Sequence, residues 1–311
     1  MRGPWRVLVV DDLAINRHAL TTILQDGDKA VVVGRAGDGQ EAIRLVQELQ
    51  PDVITLDLEM PRMDGFTFLR VLQATRPTPV IVVSTDSRPH SVFQALELGA
   101  LDFVVKPGQG GMAALGSLGM ELRDKVLAAA EFGRRVIPLE APPDKETTGF
   151  RASGIACVAV AASTGGPPVV QQLLESFTEP PPFCILVAQH MPARFTEALA
   201  ERLSKRVKMP LSELRQAEAV QSGHAYILPG GLVTTVKAMG AQVIARLAGV
   251  ELQAVFVELG RFFQIALEHL GVLRHGQLDF GALIGRGRQQ GVAPVARQIH
   301  QIDIHLLDVG N

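Results

Sequence analysis

Short apolar runs recur along the N-terminal third of the chain, and a stretch with helical spacing follows each one. The runs are Val7-Leu8-Val9-Val10, Val31-Val32-Val33, Val53-Ile54-Thr55-Leu56, Val80-Ile81-Val82-Val83 and Phe103-Val104-Val105. Between them, residues 14–25, 40–49, 66–74 and 91–98 carry apolar side chains at helix-like intervals. Unbroken β-branched runs belong to strands buried on both faces. Their alternation with helices predicts a parallel sheet covered on both sides. Ligands of such sheets sit beyond the carboxyl ends of the strands, so chemistry is expected from the residues that close each run.

After Val105 the pattern loosens. Gly108-Gln109-Gly110-Gly111 leads to a helix predicted over 122–132, and 138–153, which includes Pro142-Pro143-Asp144-Lys145-Glu146, reads as a linker of low hydrophobicity. A second α/β pattern opens with Ile155-Ala156-Cys157-Val158-Ala159-Val160. It continues with a helix after Pro167, a strand over 183–188, a helix over 193–203 and a later strand over 243–247. Past Gly249 the pattern blurs. The expected organisation is a first domain over 1–107 whose last helix runs on to residue 132, a linker over 133–152, and a second doubly wound α/β domain over 153–311 with an incomplete C-terminal part.

Composition narrows the classes. Lys and Arg number 30 against 32 Asp and Glu, a net charge of −2. That balance, with no basic recognition helix, argues against a nucleic-acid partner. With 47% hydrophobic and 20% charged residues, the chain has ample core and does not read as disordered. Only Cys157 and Cys184 are available as thiols. They exclude a disulfide scaffold and a Cys-rich zinc module, fit a reducing cytoplasm, and read as buried core residues because both lie in apolar runs. No segment approaches the roughly 20 apolar residues that span a bilayer, and the N-terminus has no signal-peptide hydrophobic region. The expectation is a soluble cytoplasmic protein with no direct membrane insertion.

Asp11 and Asp12 close the first apolar run, Asp57 the third, Ser84 the fourth and Lys106 the fifth. Taken singly, an Asp at a strand end is more often a turn or cap residue. Together, in a parallel sheet, the five converge on one edge. Three carboxylates so placed repel one another, and a hard divalent cation such as Mg²⁺ neutralises them through carboxylate, water and phosphate oxygens. A screened Asp57 is then able to attack a phosphoryl donor, with Lys106 and the metal sharing the charge and Ser84 bonding the new phosphoryl oxygens.

The stretches Val9-Val10-Asp11-Asp12, Leu56-Asp57-Leu58-Glu59-Met60-Pro61-Arg62-Met63-Asp64-Gly65, Val83-Ser84 and Val105-Lys106-Pro107 resemble, in order, the motifs of response-regulator receiver domains. The resemblance covers residues 5–107. It implies a flavodoxin-like five-stranded sheet of order 2-1-3-4-5, Mg²⁺ at Asp11, Asp12 and Asp57, and phosphorylation of Asp57 by a histidine kinase. It also puts Phe103 in the aromatic position that changes rotamer when the serine engages the phosphoryl group.

In the second domain a hydroxyl directly follows a buried strand, in Ala162-Ser163-Thr164-Gly165-Gly166-Pro167. Such a turn is able to expose Ser163 Oγ and aim backbone N–H groups at a developing oxyanion. On this segment alone, a Gly-rich phosphate-binding turn or a plain strand-to-helix corner is the favoured reading. His190 ends the next apolar run, where a neighbouring parallel strand brings its imidazole beside Ser163 as a candidate general base. The text Gln189-His190-Met191-Pro192, followed by Phe195, Ala200-Glu201-Arg202-Leu203 and Gly223-His224-Ala225-Tyr226-Ile227-Leu228-Pro229-Gly230-Gly231, resembles, with the serine segment, the chemotaxis protein-glutamate methylesterase (CheB) family. That resemblance implies Ser163 as nucleophile, His190 as base and the Thr164 backbone N–H as oxyanion donor. It further implies hydrolysis of methyl esters on methylated chemoreceptors, with deamidation of some glutamines, in chemotaxis adaptation.

The family's third catalytic member is an aspartate in L-T-G-M-G-x-D-G. The nearest text is Leu283-Ile284-Gly285-Arg286-Gly287-Arg288-Gln289-Gln290-Gly291, with Gln289 at the aspartate's position. Ala161 stands where the family has Gly and Leu232 where it has His, and past residue 249 its motifs are not found. Two readings stay open. Either the tail has diverged, leaving an impaired esterase that works only as a signalling and receptor-binding module, or the reading frame shifts near residue 250; the second is the expectation.

Overall fold

Five apolar strands build the first sheet: β1 (Trp5–Val10), β2 (Ala30–Ala36), β3 (Val53–Leu56), β4 (Val80–Ser84) and β5 (Asp102–Val105). Every neighbouring pair is parallel, in the order β2-β1-β3-β4-β5, as the resemblance implied. β3 and β4 are buried along their whole length, which is why their sequences show no alternation. The computed structural model describes residues 3–25, 28–107, 111–134, 155–239, 242–248 and 302–308, and the chain divides into two units, 1–138 and 139–311.

Helices α1 (Ala14–Leu24), α2 (Gly39–Leu49), α3 (Gly65–Thr75) and α4 (Pro89–Glu97) fall within two residues of the predicted spans. Their starts have local causes. The Asp38 carboxylate accepts the Gln40 and Glu41 N–H groups of α2, Asp64 accepts the Thr67 N–H of α3, and Pro89 presets the first turn of α4. Helix α5 (Gly111–Arg134) begins eleven residues before the span read from the sequence. Gly116 and Gly119 lower its intrinsic helicity and disguised it. Burial holds it instead: Leu118, Leu122, Val126, Ala129 and Ala130 share one core cluster with Val7, Val9, Ile81, Val83 and Val104. The linker expected over 133–152 lies almost wholly outside the described residues.

In the second unit, β6 (Ile155–Ala162), β7 (Cys184–Gln189), β8 (Leu211–Glu213) and β10 (Ala225–Ile227) form a parallel sheet of order β6-β7-β10-β8. Helices α6 (Gly166–Glu175) and α7 (Ala193–Ser204) follow β6 and β7. β9 (Glu218–Val220), β11 (Val233–Met239) and β12 (Gln242–Ala248) make a separate antiparallel sheet, which the sequence pattern did not reveal beyond the single strand over 243–247. One segment of the tail also forms a strand: β13 (Ile302–Asp308) pairs antiparallel with β6.

The register of β6 on β7 runs from Cys157 opposite Cys184 to Ala162 opposite Gln189. Ser163 and His190, the next residue on each strand, therefore leave the sheet side by side. Both cysteines are buried, as expected. A hydrogen bond with Cys184, reinforced by burial, pushes the Cys157 thiol well above its ordinary pKa and keeps it protonated. Among the described residues no helix is long and apolar enough to cross a membrane.

Candidate functional site

The carboxyl edge of the first sheet gathers all five residues named from the sequence. Asp11, Asp12 and Asp57 each offer a carboxylate oxygen, and these oxygens lie within 4.8 Å of one another. Asp11, Asp57, Ser84 and Lys106 are buried. The Lys106 ammonium donates to Asp11 Oδ2 at 2.6 Å and also to Asp57 Oδ2. Ser84 Oγ donates to the other Asp57 oxygen, Oδ1, at 2.9 Å. Three carboxylates against one ammonium leave two negative charges in a confined, all-oxygen donor set. Those residues fit a hard divalent cation.

Two supporting residues escaped the sequence reading. The Arg17 guanidinium donates to the carbonyls of Asp11 and Asp12 at 2.7 and 2.9 Å, and Asn16 Nδ2 donates to Asp11 Oδ1 at 3.2 Å. Both project from the first turns of α1 onto the loop that carries the carboxylates. Only their position a few residues after Asp12 could have marked them. Phe103 is buried, and its ring lies 5.3 Å from the Lys125 ammonium on α5. Lys125 Nζ also donates to the Phe103 carbonyl at 2.8 Å and pairs with Asp102 at 3.1 Å. Nearby, a hydrogen bond from Arg88 holds the Asp86 carboxyl below the usual carboxylate range.

In the second unit, Ser163 Oγ lies 3.3 Å from His190 Nδ1. Ser163 is exposed, His190 half-buried and Thr164 buried. The His190 N–H donates to the Ala162 carbonyl at 2.8 Å, which ties the turn after β7 to the end of β6. Ser163 O accepts the Gly166 N–H at 2.8 Å, and Gly165 between them sits at φ 76°, ψ −1°. This positive φ at the third position of a type II turn is what the glycine supplies. Thr196 Oγ1, at the start of α7, links the Ala193 carbonyl, Glu213 and the Gly230 N–H, so the Pro229-Gly230-Gly231 loop is held against the turn that carries His190.

The ring presents Nδ1 to the serine, whereas a Ser-His-Asp site uses Nε2 there and keeps Nδ1 for the carboxylate. A half-turn about Cβ–Cγ only swaps Nδ1 with Cδ2 and Nε2 with Cε1, so bringing Nε2 to the serine takes a change about Cα–Cβ as well. Gln289, the residue aligned with the missing aspartate, lies outside the described residues.

The family model described as response regulator receiver domain matches residues 7–112, and that described as CheB methylesterase matches residues 158–271. The second match continues past residue 249, where the sequence reading lost the family's motifs, and stops short of Gln289. The chain is 46% identical over 244 residues to protein-glutamate methylesterase/protein-glutamine glutaminase 1 of Myxococcus xanthus, covering 78% of this chain and 70% of that protein. It is 40% identical over 267 residues to protein-glutamate methylesterase/protein-glutamine glutaminase 3 of Geobacter sulfurreducens, covering 78% and 72%. Among solved structures, the response regulator domain of Thermotoga maritima CheB is 39% identical, with a TM-score of 0.39, over 41% of this chain and 97% of that one.

Proposed function

The chain belongs to the protein-glutamate methylesterase/protein-glutamine glutaminase family, and from that premise we propose that Ser163 and His190 hydrolyse glutamate methyl esters on chemoreceptors under control of a phosphoacceptor at Asp57. The observation that carries this reading is the serine hydroxyl 3.3 Å from an imidazole at the ends of two adjacent parallel strands, where α6 begins. Ser163 Oγ attacks the ester carbonyl while His190 takes its proton. The Thr164 N–H receives the oxyanion. Methanol leaves with the proton from His190, and water, activated by the same imidazole, releases the free carboxylate. A receptor glutamine follows the same course with ammonia as leaving group.

In the receiver, an Asp57 oxygen bonds to the phosphorus of a phosphodonor, supplied by a histidine kinase, and the donor's leaving group departs. Mg²⁺ held by Asp11, Asp12 and Asp57 would screen the charge of the carboxylates and the transferred group. Lys106 neutralises the new phosphoryl oxygens. Ser84 exchanges its bond to Asp57 for one to the phosphoryl group, and Phe103 follows. The two cysteines held as thiols suit a cytoplasmic location.

A second reading is favoured by Gln289 alone: an amide in place of the carboxylate leaves a receptor-binding signalling module that turns over little. Methanol release from methylated receptor separates the two. The esterase reading expects release that Ser163→Ala abolishes and a phosphodonor stimulates. Receptor binding without Ser163-dependent release supports the signalling module.

A further inference from the structure

Gln189 is the last residue of β7, next to His190, and its side chain is only 4% exposed. Its Nε2 crosses to the neighbouring strand end and donates to the Ser163 carbonyl at 3.0 Å. That carbonyl therefore has two donors, the Gln189 amide and the Gly166 N–H. Gln189 Oε1 is buried and has no hydrogen-bond partner among the described residues. It lies against Gly166, where any Cβ would collide with it. An apolar side chain of the same length would fill the space without stranding an acceptor, so packing alone does not explain an amide here.

We propose that Gln189 is a positioning residue for the nucleophile turn, fixing the Ser163–Thr164 peptide so that the Thr164 N–H is available to the oxyanion. The inference deepens, and rests on, the reading of Ser163 as nucleophile. A trans peptide is planar, with its C=O and N–H antiparallel. Holding the Ser163 carbonyl inward on two donors therefore turns the Thr164 N–H away from the buried amide. A peptide released from that hold is free to rotate and present a carbonyl to the developing negative charge, which repels it. The type II turn at Gly165 is compatible with the held orientation, and Gly166 makes room for the amide to reach it.

The test uses the full chain and a fluorophosphonate probe. Ser163 Oγ bonds to phosphorus, fluoride leaves, and His190 takes the hydroxyl proton. Labelling at Ser163 is followed by mass spectrometry, with Ser163→Ala as the unlabelled control. Gln189→Met, which keeps the length and removes the donor, is expected to slow labelling by about tenfold or more, short of the roughly 10²–10³-fold that loss of an oxyanion donor itself costs. Gln189→Glu supplies a second readout that does not depend on Gln189→Met folding. Its carboxylate cannot donate at neutral pH, but a protonated carboxyl donates an O–H to the Ser163 carbonyl. Its labelling rate relative to the parent chain should therefore recover as pH falls. A Gln189→Met protein that melts normally and labels at the parent rate overturns the inference, as does a Gln189→Glu ratio that is flat with pH. If the folded parent chain is not labelled at Ser163 at all, the nucleophile reading itself falls, and this inference with it.

Discussion

Ser84 Oγ donates to Asp57 Oδ1 at 2.9 Å, with both side chains buried at the carboxyl edge of the first sheet. The hydroxyl thus already touches the carboxylate read as the phosphoacceptor. On phosphorylation it need shift only to an oxygen of the phosphoryl group attached to the same carboxylate. Ser84→Ala should therefore accept phosphoryl groups on Asp57 at close to the parental rate, yet lose the phosphodonor's stimulation of methanol release. Phosphoprotein mass and methanol release, measured on the same sample, check the two halves separately.

Asp57 itself is expected to take a phosphoryl group from a small-molecule donor only when Mg²⁺ is present. Three carboxylate oxygens within 4.8 Å of one another, of which Lys106 bonds those of Asp11 and Asp57, otherwise repel an anionic donor. Chelation should abolish incorporation, and so should Asp57→Asn. Incorporation that survives Asp57→Asn would falsify the assignment.

Lys125 is a buried cation fastened to β5. It pairs with Asp102 at 3.1 Å and donates to the Phe103 carbonyl at 2.8 Å, while Asp102 Oδ2 has no partner of its own among the described residues. Removing the ammonium strands a carboxylate in the core, so Lys125→Met should destabilise the first unit by about 3–5 kcal/mol. Adding Asp102→Asn should restore part of that loss, because the buried charge goes with it. Denaturant unfolding of the single and double variants measures both. Equal stability of Lys125→Met and the parent chain would remove Lys125 as a support of the aromatic at 103.

How much of this was legible depended on where the information lies along the chain. The strands of the first sheet are continuous apolar runs, and the residues that close them are polar, so Asp11, Asp57, Ser84 and Lys106 identify themselves once a parallel order is assumed. Ser163 and His190 were found in the same way. Arg17, Asn16 and Gln189 act through reach across a loop or between strands, which no periodicity encodes. β8, β9 and β10 span only three residues each, too few for an alternation to register. β13 owes its place to the edge of β6 that it pairs with. A partner's edge is invisible from the strand's own sequence.

His224 stacks on Tyr226 with ring centroids 4.1 Å apart, and its Nε2 lies 3.0 Å from Ser212 Oγ. Burial lowers its pKa, with Glu218 acting in the opposite direction. A histidine harder to protonate in the folded state than in the unfolded one gives the unfolded chain the extra proton. Its contribution is thus present above the unfolded pKa of about 6.5 and is lost as pH falls toward the lower folded value. Unfolding midpoints of the second unit should drop across that window, and His224→Gln should flatten the drop. A pH dependence unchanged in His224→Gln would assign it to other groups.

The last expectation concerns Gln289. In a Ser-His-Asp site the carboxylate fixes the histidine tautomer and stabilises the imidazolium as the proton is taken. A neutral amide in its place costs about 10⁴-fold in rate, or about 5 kcal/mol at roughly 1.4 kcal/mol per factor of ten. An amide carbonyl still accepts an N–H from the ring, so orientation is retained while charge stabilisation is lost. The chain as written should release methanol from methylated receptor slowly, and Gln289→Asp should recover a large part of the deficit. The Nδ1-to-serine arrangement at His190 makes the test sharper. Recovery requires the ring to turn and offer Nε2 to Ser163, which the ring resonances of His190 would report in an NMR spectrum of the variant. A parent chain that is fully active and indifferent to Gln289→Asp draws its carboxylate from elsewhere; Asp279 is the aspartate nearest to Gln289 in the sequence, and Asp279→Asn is then the substitution that should silence it. Turnover untouched by Gln289→Asp, Asp279→Asn and Ser163→Ala alike would leave the hydrolase reading without a site.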